Sequence, residues 1–288
     1  MPMIFAPSLR LHVQAMGPAV PGLDRVPIVM THGMFMGSLV DWYFHIGPRL
    51  AEDRLVVMHD LRGHGKSDMP GTGYDPQTLA NDLAAVVNYA SPEGEPVDLV
   101  GHCWGALVSL AYALAHPHRV RRMVLIEAAL PPWHTLELER FLRSLTPEQT
   151  AAYIPEVLLQ GGRRSRRAAQ RLSDLLNGTS CMRDMKRTQA FPEAALAALP
   201  QPVLALYGSQ SLGRCEGPGL KRALSHCTLA EVEGNHDLHL TAPDQVFHQI
   251  KEFFHGRNEH SGPEVTRAAY GRFRSERANR RLSSRLDY

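Results

Sequence analysis

Short apolar runs separated by stretches of helical periodicity set the rhythm of this chain. Arg10 to Ala15 alternates weakly, as an early antiparallel strand does. The runs Val26–Met30, Leu55–Met58, Val97–Val100, Met123–Ile126 and Pro202–Tyr207 read as buried strands. Asp75 stands as an N-cap with Pro76 at the first helical position, and Leu79, Leu83, Val86 and Val87 then fall on one face. Ala106 to Leu114 is apolar nearly all round, as a helix packed inside a layered core would be. Strands alternating with helices predict an α/β class, a doubly wound and mostly parallel sheet with its chemistry at the C-terminal ends of the strands.

Between Pro131 and Leu199 the strand signal vanishes. Helical stretches such as Leu136, Phe141, Leu142 and Leu145 are broken there by Pro147, Pro155 and Gly161-Gly162. This predicts a helical cap inserted before the penultimate strand, of the kind that shapes a substrate pocket and excludes water. The expected organisation is a core from 1–130, a cap over 131–199, the rest of the core over 200–256, and an Arg-rich extension over 257–288, partly disordered in its final stretch.

With 288 residues and 44% hydrophobic content, the chain can bury one large core plus an inserted subdomain. The N-terminus lacks a basic region followed by a long apolar run, and nowhere does an apolar stretch reach the roughly 18 residues of a membrane span. A soluble, cytoplasmic protein without a membrane partner is expected. The four cysteines, Cys103, Cys181, Cys215 and Cys227, fit neither a disulfide framework nor a C-x-x-C metal site. Among the 15 histidines, His236, His239 and His248 lie close together, but with a spacing that matches no strong zinc motif, so no metal is expected.

The net charge of +2 is unevenly spread. From Arg257 onward there are eight arginines, no lysine and four acids, giving +4 and leaving −2 for the rest. A second basic cluster holds Arg163, Arg164, Arg166, Arg167 and Arg171. Both clusters would attract an acidic partner, or the phosphates of a CoA; the alternative is a solvated helix face. No aromatic stacking platform accompanies the arginines, so nucleic acid is not expected.

The sharpest chemical signal is Gly101-His102-Cys103-Trp104-Gly105. A strand that turns abruptly into a helix needs small residues two positions either side of the residue at the apex, and both glycines are there. A buried strand precedes it and an apolar helix follows, the setting of a nucleophile elbow with a thiol at its tip. The alternative is a buried structural cysteine.

On His32-Gly33, the segment Asp60 to Asp68, this elbow, Glu127, and Gly234-Asn235-His236 with Pro243 beyond it, residues 3–256 resemble an α/β-hydrolase-fold enzyme. The resemblance implies Cys103 as nucleophile, His236 as its base, and the backbone N–H groups of Met34 and Trp104 as the oxyanion hole. In most members the acid sits three residues past the glycine ending the strand near Tyr207, where this chain has Ser211. Glu127 occupies the alternative position used by one branch of the haloalkane dehalogenases, and the expected triad is Cys103-His236-Glu127, with Glu216 and Asp237 as weaker substitutes. The other reading of Glu127 is a cap on local backbone groups.

His102-Cys103-Trp104-Gly105 is also similar to the elbows of dehalogenases and epoxide hydrolases, which carry Asp before Trp-Gly. A thiolate alkylated on sulfur becomes a thioether with no carbonyl to hydrolyse, so that chemistry is not expected here. An acylated thiol stays electrophilic, and exchange between thioesters is nearly balanced in energy. Cysteine-bearing members of the superfamily include dienelactone hydrolases, polyhydroxyalkanoate synthases and the aminoacyl-shuttling transferases of nonribosomal peptide pathways, the last being similar to this chain in length and architecture. The resemblance implies an acyl or aminoacyl transferase acting on carrier-protein or CoA thioesters, with no cofactor beyond the phosphopantetheine or CoA arm of its substrate and with acidic carrier proteins as partners. A hydrolase of esters, lactones or thioesters, and a catalytically idle binding module, are the alternatives.

Overall fold

The computed structural model describes residues 2–18, 26–130 and 163–256. Within them the strands β1 (Met3–Ala6), β2 (Leu9–Met16), β3 (Ile28–Thr31), β4 (Val56–His59), β5 (Val97–His102), β6 (Val120–Ile126), β7 (Val203–Gly208) and β8 (Cys227–Val232) form one sheet in the order β1-β2-β4-β3-β5-β6-β7-β8. β2 runs antiparallel to both its neighbours, and every pairing from β4 through β8 is parallel.

The central strands read as unbroken apolar runs because both faces of the sheet are covered. Val29, Val57, Leu99, Leu125 and Ala205 pack on one side with Leu79, Leu83, Val86 and Val87 of the helix Pro76–Ala90. Met30, Met58, Val100, Val124 and Leu206 pack on the other with Trp42, Val246, Phe247 and Ile250. The helix Pro76–Ala90 begins where the sequence predicts, its Asp75 Oδ1 accepting the Thr78 N–H at 2.9 Å. β1 and β8 escape the sequence reading, because they are edge strands with partly exposed, irregular patterns.

Between β6 and β7 the described residues hold helices Arg163–Gly178, Cys181–Arg187 and Glu193–Ala197 and no strand, as expected for that stretch. Leu172, Leu175, Cys181 and Met185 are buried. The stretches around Leu136 to Leu145 and over 257–288 lie outside the described residues. Among the described residues no helix is long and apolar enough to cross a membrane.

The registers that pair Thr31 with Gly101, Gly101 with Leu125 and Ile126 with Leu206 bring the C-terminal ends of β3, β5, β6 and β7 side by side. The two elbow glycines make this edge possible. A Cβ on Gly101 would lie 2.4 Å from the Gly105 carbonyl oxygen, and one on Gly105 would lie 2.4 Å from that of Thr31. Both obstacles are backbone and cannot swing away. Gly105→Ala is therefore expected to destabilise the fold by about 3 kcal/mol or more, as severe overpacking does. That lowers the melting temperature by roughly 6–12 °C for a domain of this size, a change readable by calorimetry.

Candidate active site

Cys103 sits at the apex between β5 and the helix Trp104–Ala115, with φ 51° and ψ −113°. A non-glycine residue held in the left-handed half of backbone space is strained, and such strain persists only where the surroundings impose it. They do so here: the Cys103 N–H donates to the Ile126 carbonyl at 2.8 Å, and its carbonyl accepts from Ala106 at 3.1 Å. The turn leaves the Cys103 side chain partly exposed at the helix N-terminus. Cys181 is buried and its thiol is pushed up to about 12 by burial, the opposite setting.

His236 hydrogen-bonds Glu127 on one side and lies close enough to Cys103 on the other for the sulfur to act on its charge. The Nδ1–H donates to Glu127 Oε2 at 3.2 Å, which leaves Nε2 for the sulfur. Burial works against charge on this imidazole, but the negative charge of Cys103, its hydrogen bond and the Glu127 carboxylate together raise it to about 11. About half of the His236 side chain remains exposed. Glu127 follows directly on β6 with φ 54°, and its side chain is fully buried. Its Oε1 accepts the Gly208 N–H at 2.6 Å, and its Oε2 accepts the Ser211 hydroxyl at 2.5 Å as well as His236. The Asp237 N–H is taken by Asn235 Oδ1, and His236 meets Glu127 rather than Glu216 or Asp237.

The sequence reading overlooked the imidazoles packed around this one. His102 donates its Nε2–H to the His236 carbonyl at 3.0 Å and packs its ring, tilted, against those of His236 and His239, with ring centroids 4.9 and 4.1 Å apart. Burial drives His102 well below the ordinary imidazole range, and takes His239 to about 3 and His32 to about 4. Within this cluster only His236 is raised above the ordinary imidazole range. The overlooked signal was the crowding of His102 against the His236 loop, which sequence spacing does not reveal.

Gly33 abuts the elbow so closely that a Cβ there would lie 3.2 Å from Cys103 Cβ and 2.9 Å from His102 Nδ1. Met34, next in the chain, is buried, and Trp104 opens the helix that follows Cys103. The two residues implied as oxyanion donors are thus the chain neighbours of Gly33 and of Cys103. His32 fixes this loop as a neutral tautomer, its Nδ1–H donating to Gly33 O at 2.6 Å and its Nε2 accepting from the Leu61 N–H at 3.0 Å. Asp60 ties in the second loop, accepting from His12 Nδ1 at 2.7 Å and from the Leu39 and Lys66 N–H groups at 2.9 Å each.

The basic cluster divides. Arg163, Arg164, Arg166 and Arg167 lie in the first two turns of the helix Arg163–Gly178, where Arg167 is exposed. Arg171, expected among the arginines that would meet an acidic partner, turns inward instead. Its guanidinium turns onto the Asp60–Asp68 segment and donates to the carbonyls of Ser67 at 2.5 Å and His64 at 3.3 Å. Its place, a turn further along the helix than Arg167, sets it over that loop, so it serves packing. His248, weighed from sequence with His236 and His239, bonds the Asp244 carbonyl one turn back on the last helix.

The sequence profile of the α/β-hydrolase fold matches residues 26–211, and the chain belongs to that family. Over 110 residues it is 38% identical to a non-haem chloroperoxidase of Streptomyces lividans, covering 38% of either chain. Over 101 residues it is 34% identical to a soluble epoxide hydrolase of a Corynebacterium species, covering 35% of this chain and 34% of that one. The matches span little more than a third of those relatives' own lengths. A 2-hydroxy-6-oxo-6-phenylhexa-2,4-dienoate hydrolase from a Rhodococcus species shares the fold with a TM-score of 0.73 at 20% identity, over 88% of this chain and 97% of that one.

Proposed function

We propose that this protein is an acyl-transfer enzyme working through a Cys103 thioester, and that its substrates are carrier-protein or CoA thioesters. The observation that carries the reading is a strained, partly exposed cysteine beside a histidine that is in turn held by a buried glutamate. Its relatives bear names from different reaction classes, so the chemistry rests on these side chains.

His236 stands beside the sulfur as the base that takes its proton, so that Cys103 attacks as a thiolate. The thiolate attacks the donor carbonyl, and the backbone N–H groups of Met34 and Trp104 receive the oxyanion. Collapse expels the donor thiol, protonated by His236 Nε2, and leaves the acyl group on Cys103 and His236 neutral. An acceptor thiol then yields its proton to His236 and attacks in turn. Loss of Cys103 as a thiolate completes the cycle. Glu127 fixes the imidazole tautomer and stabilises its cationic form throughout. The exposed Arg167 and its neighbours on the same helix would attract an acidic carrier.

Hydrolysis is the second reading, favoured by the half-exposed His236 ring, which water can reach. Incubation with an acyl-loaded carrier and an empty acceptor separates the two by intact mass. Transfer predicts an acyl adduct on Cys103 and a loaded acceptor; free acid formed without an acceptor supports hydrolysis; no adduct on Cys103 overturns both.

A further inference from the structure

The loop that carries Met34 is confined from both ends. Its Gly33–Met34 peptide is planar, so whatever fixes the Gly33 carbonyl also aims the Met34 N–H the opposite way. His32 Nδ1–H donates to that carbonyl at 2.6 Å. Gly37 folds back over the same place so closely that a Cβ on it would lie 2.3 Å from the Gly33 oxygen and 2.7 Å from His32 Nδ1. Phe35, between the two, is held at φ 71° in the left-handed region. The far end is closed one residue beyond Gly37. Ser38 and Asp41 bracket the start of the helix Val40–Tyr43 with reciprocal bonds of the capping-box kind: Ser38 Oγ accepts the Val40 N–H at 3.3 Å, and Asp41 Oδ2 reaches back to accept the Ser38 N–H at 3.1 Å.

We infer that Asp41 is a positioning residue: its carboxylate latches the Met34 loop in the form that receives an oxyanion, and protonation of that carboxylate loosens the latch. The inference rests on the reading of the Met34 N–H as an oxyanion donor. Its physical basis is that an ionised carboxylate holds a backbone N–H more strongly than a neutral carboxyl does, and that Ser38 adjoins the glycine pressed onto the Gly33 carbonyl. The groups around Asp41 decide where it titrates. Asp237, at the start of the helix Leu238–Thr241, and Asp60, after β4, both act on it. His239 of the same helix packs on Trp42 with ring centroids 4.9 Å apart and is neutral, and Arg49 on the helix Ile46–Leu50 is engaged by Asp244 at 2.5 Å. Burial, opposed by the Ser38 N–H and reinforced by the charges of Asp237 and Asp60, pushes the Asp41 carboxyl up to about 7. The latch is therefore closed on the alkaline side of that value and open on the acid side. Asp237 directly follows His236, so the loop of the base acts on the latch of the donor loop.

The test compares two reactions of Cys103 on the full chain from about pH 5.5 to about 8.5, both followed by peptide mass spectrometry. In acylation by p-nitrophenyl acetate the sulfur attacks the ester carbonyl, an oxyanion forms, and p-nitrophenolate leaves. In alkylation by iodoacetamide the sulfur displaces iodide and no oxyanion forms. Dividing the first rate by the second cancels the ionisation of the sulfur and leaves the contribution of the oxyanion donors. In the wild-type chain this ratio is expected to rise by about threefold or more as pH increases through about 7. In Asp41→Asn it should be flat and stay near the wild-type value at acid pH, since the amide accepts the Ser38 N–H as a neutral group. Asp237→Asn leaves the Ser38 bond in place and removes a charge that raises Asp41, so the rise should move to lower pH. This second variant also serves should Asp41→Asn fail to fold. A flat wild-type ratio, a rise that survives in Asp41→Asn, or a rise that Asp237→Asn leaves unmoved overturns the inference. If iodoacetamide labels Cys103 while the ester acylates it at no pH, the oxyanion reading of Met34 falls first, and the latch with it.

Discussion

Replacing Cys103 with alanine is expected to remove the covalent acyl adduct completely and to lower acyl transfer by about 10⁴-fold or more, as loss of a nucleophile does in enzymes whose triad acts as a unit. The reason lies in how much of the site converges on one sulfur. The elbow strain, the crowding of Gly33 against Cys103 Cβ and the cationic state of His236 all depend on or serve that atom. Cys103→Ser is the more discriminating change. It keeps a nucleophile, yet passing an acyl group from a serine ester to a thiol runs uphill, so loading of an acceptor thiol should fall far more than release of free acid. Equal losses on both routes would argue that thioester exchange is not the reaction.

The same substitution carries a pH signature. The charge of Cys103 is the foremost influence raising His236, so Cys103→Ala should bring its imidazole titration, followed by NMR, down from about 11. The sign follows from linkage. A histidine raised in the folded state adds stability that is fully present below the unfolded value of about 6.5 and is lost as pH rises through about 11. In the alanine variant that contribution should be smaller and its loss complete at lower pH. An unchanged titration would show that sulfur and imidazole do not share a proton.

The second large effect is expected at His236 and its acid. In the proposed mechanism His236→Ala removes both the counter-ion of the thiolate and the proton donor to the leaving thiol, and should lower transfer by about 10³-fold or more. Glu127→Gln should lower it by about 10²-fold to 10⁴-fold, because an amide in that place cannot stabilise the imidazolium and is free to present the wrong partner to Nδ1. Steady-state rates with a thioester substrate check both, and KM should change little, since neither side chain is assigned to binding. The loss in Glu127→Gln should deepen toward high pH, where the weakened imidazolium gives up its proton first. A uniform loss across pH would point to a structural role for Glu127.

Much of this was legible before any coordinates. Unbroken apolar runs announced the central strands because burial on both faces leaves no polar alternation, and Asp75-Pro76 announced a helix because capping chemistry is local. The elbow was legible for a similar reason: only glycine fits at 101 and 105, where a Cβ would meet backbone. Edge strands β1 and β8 were not legible, since half-exposed positions tolerate any residue. Nor was the split within the arginines, where Arg171 turns inward onto the Asp60–Asp68 loop, because sequence records spacing along a helix and not what lies opposite it.

What the sequence determined by itself is therefore local: strand, turn, helix start, and a thiol at a forced bend. What only tertiary structure decided is which groups meet there. Glu127 and Ser211 are far apart in the chain and share one oxygen's surroundings because β6 and β7 are neighbours in register, and His102 holds the His236 loop because that loop returns across the end of β5. Contacts between distant segments depend on the packing of the whole sheet, and no window of sequence contains them.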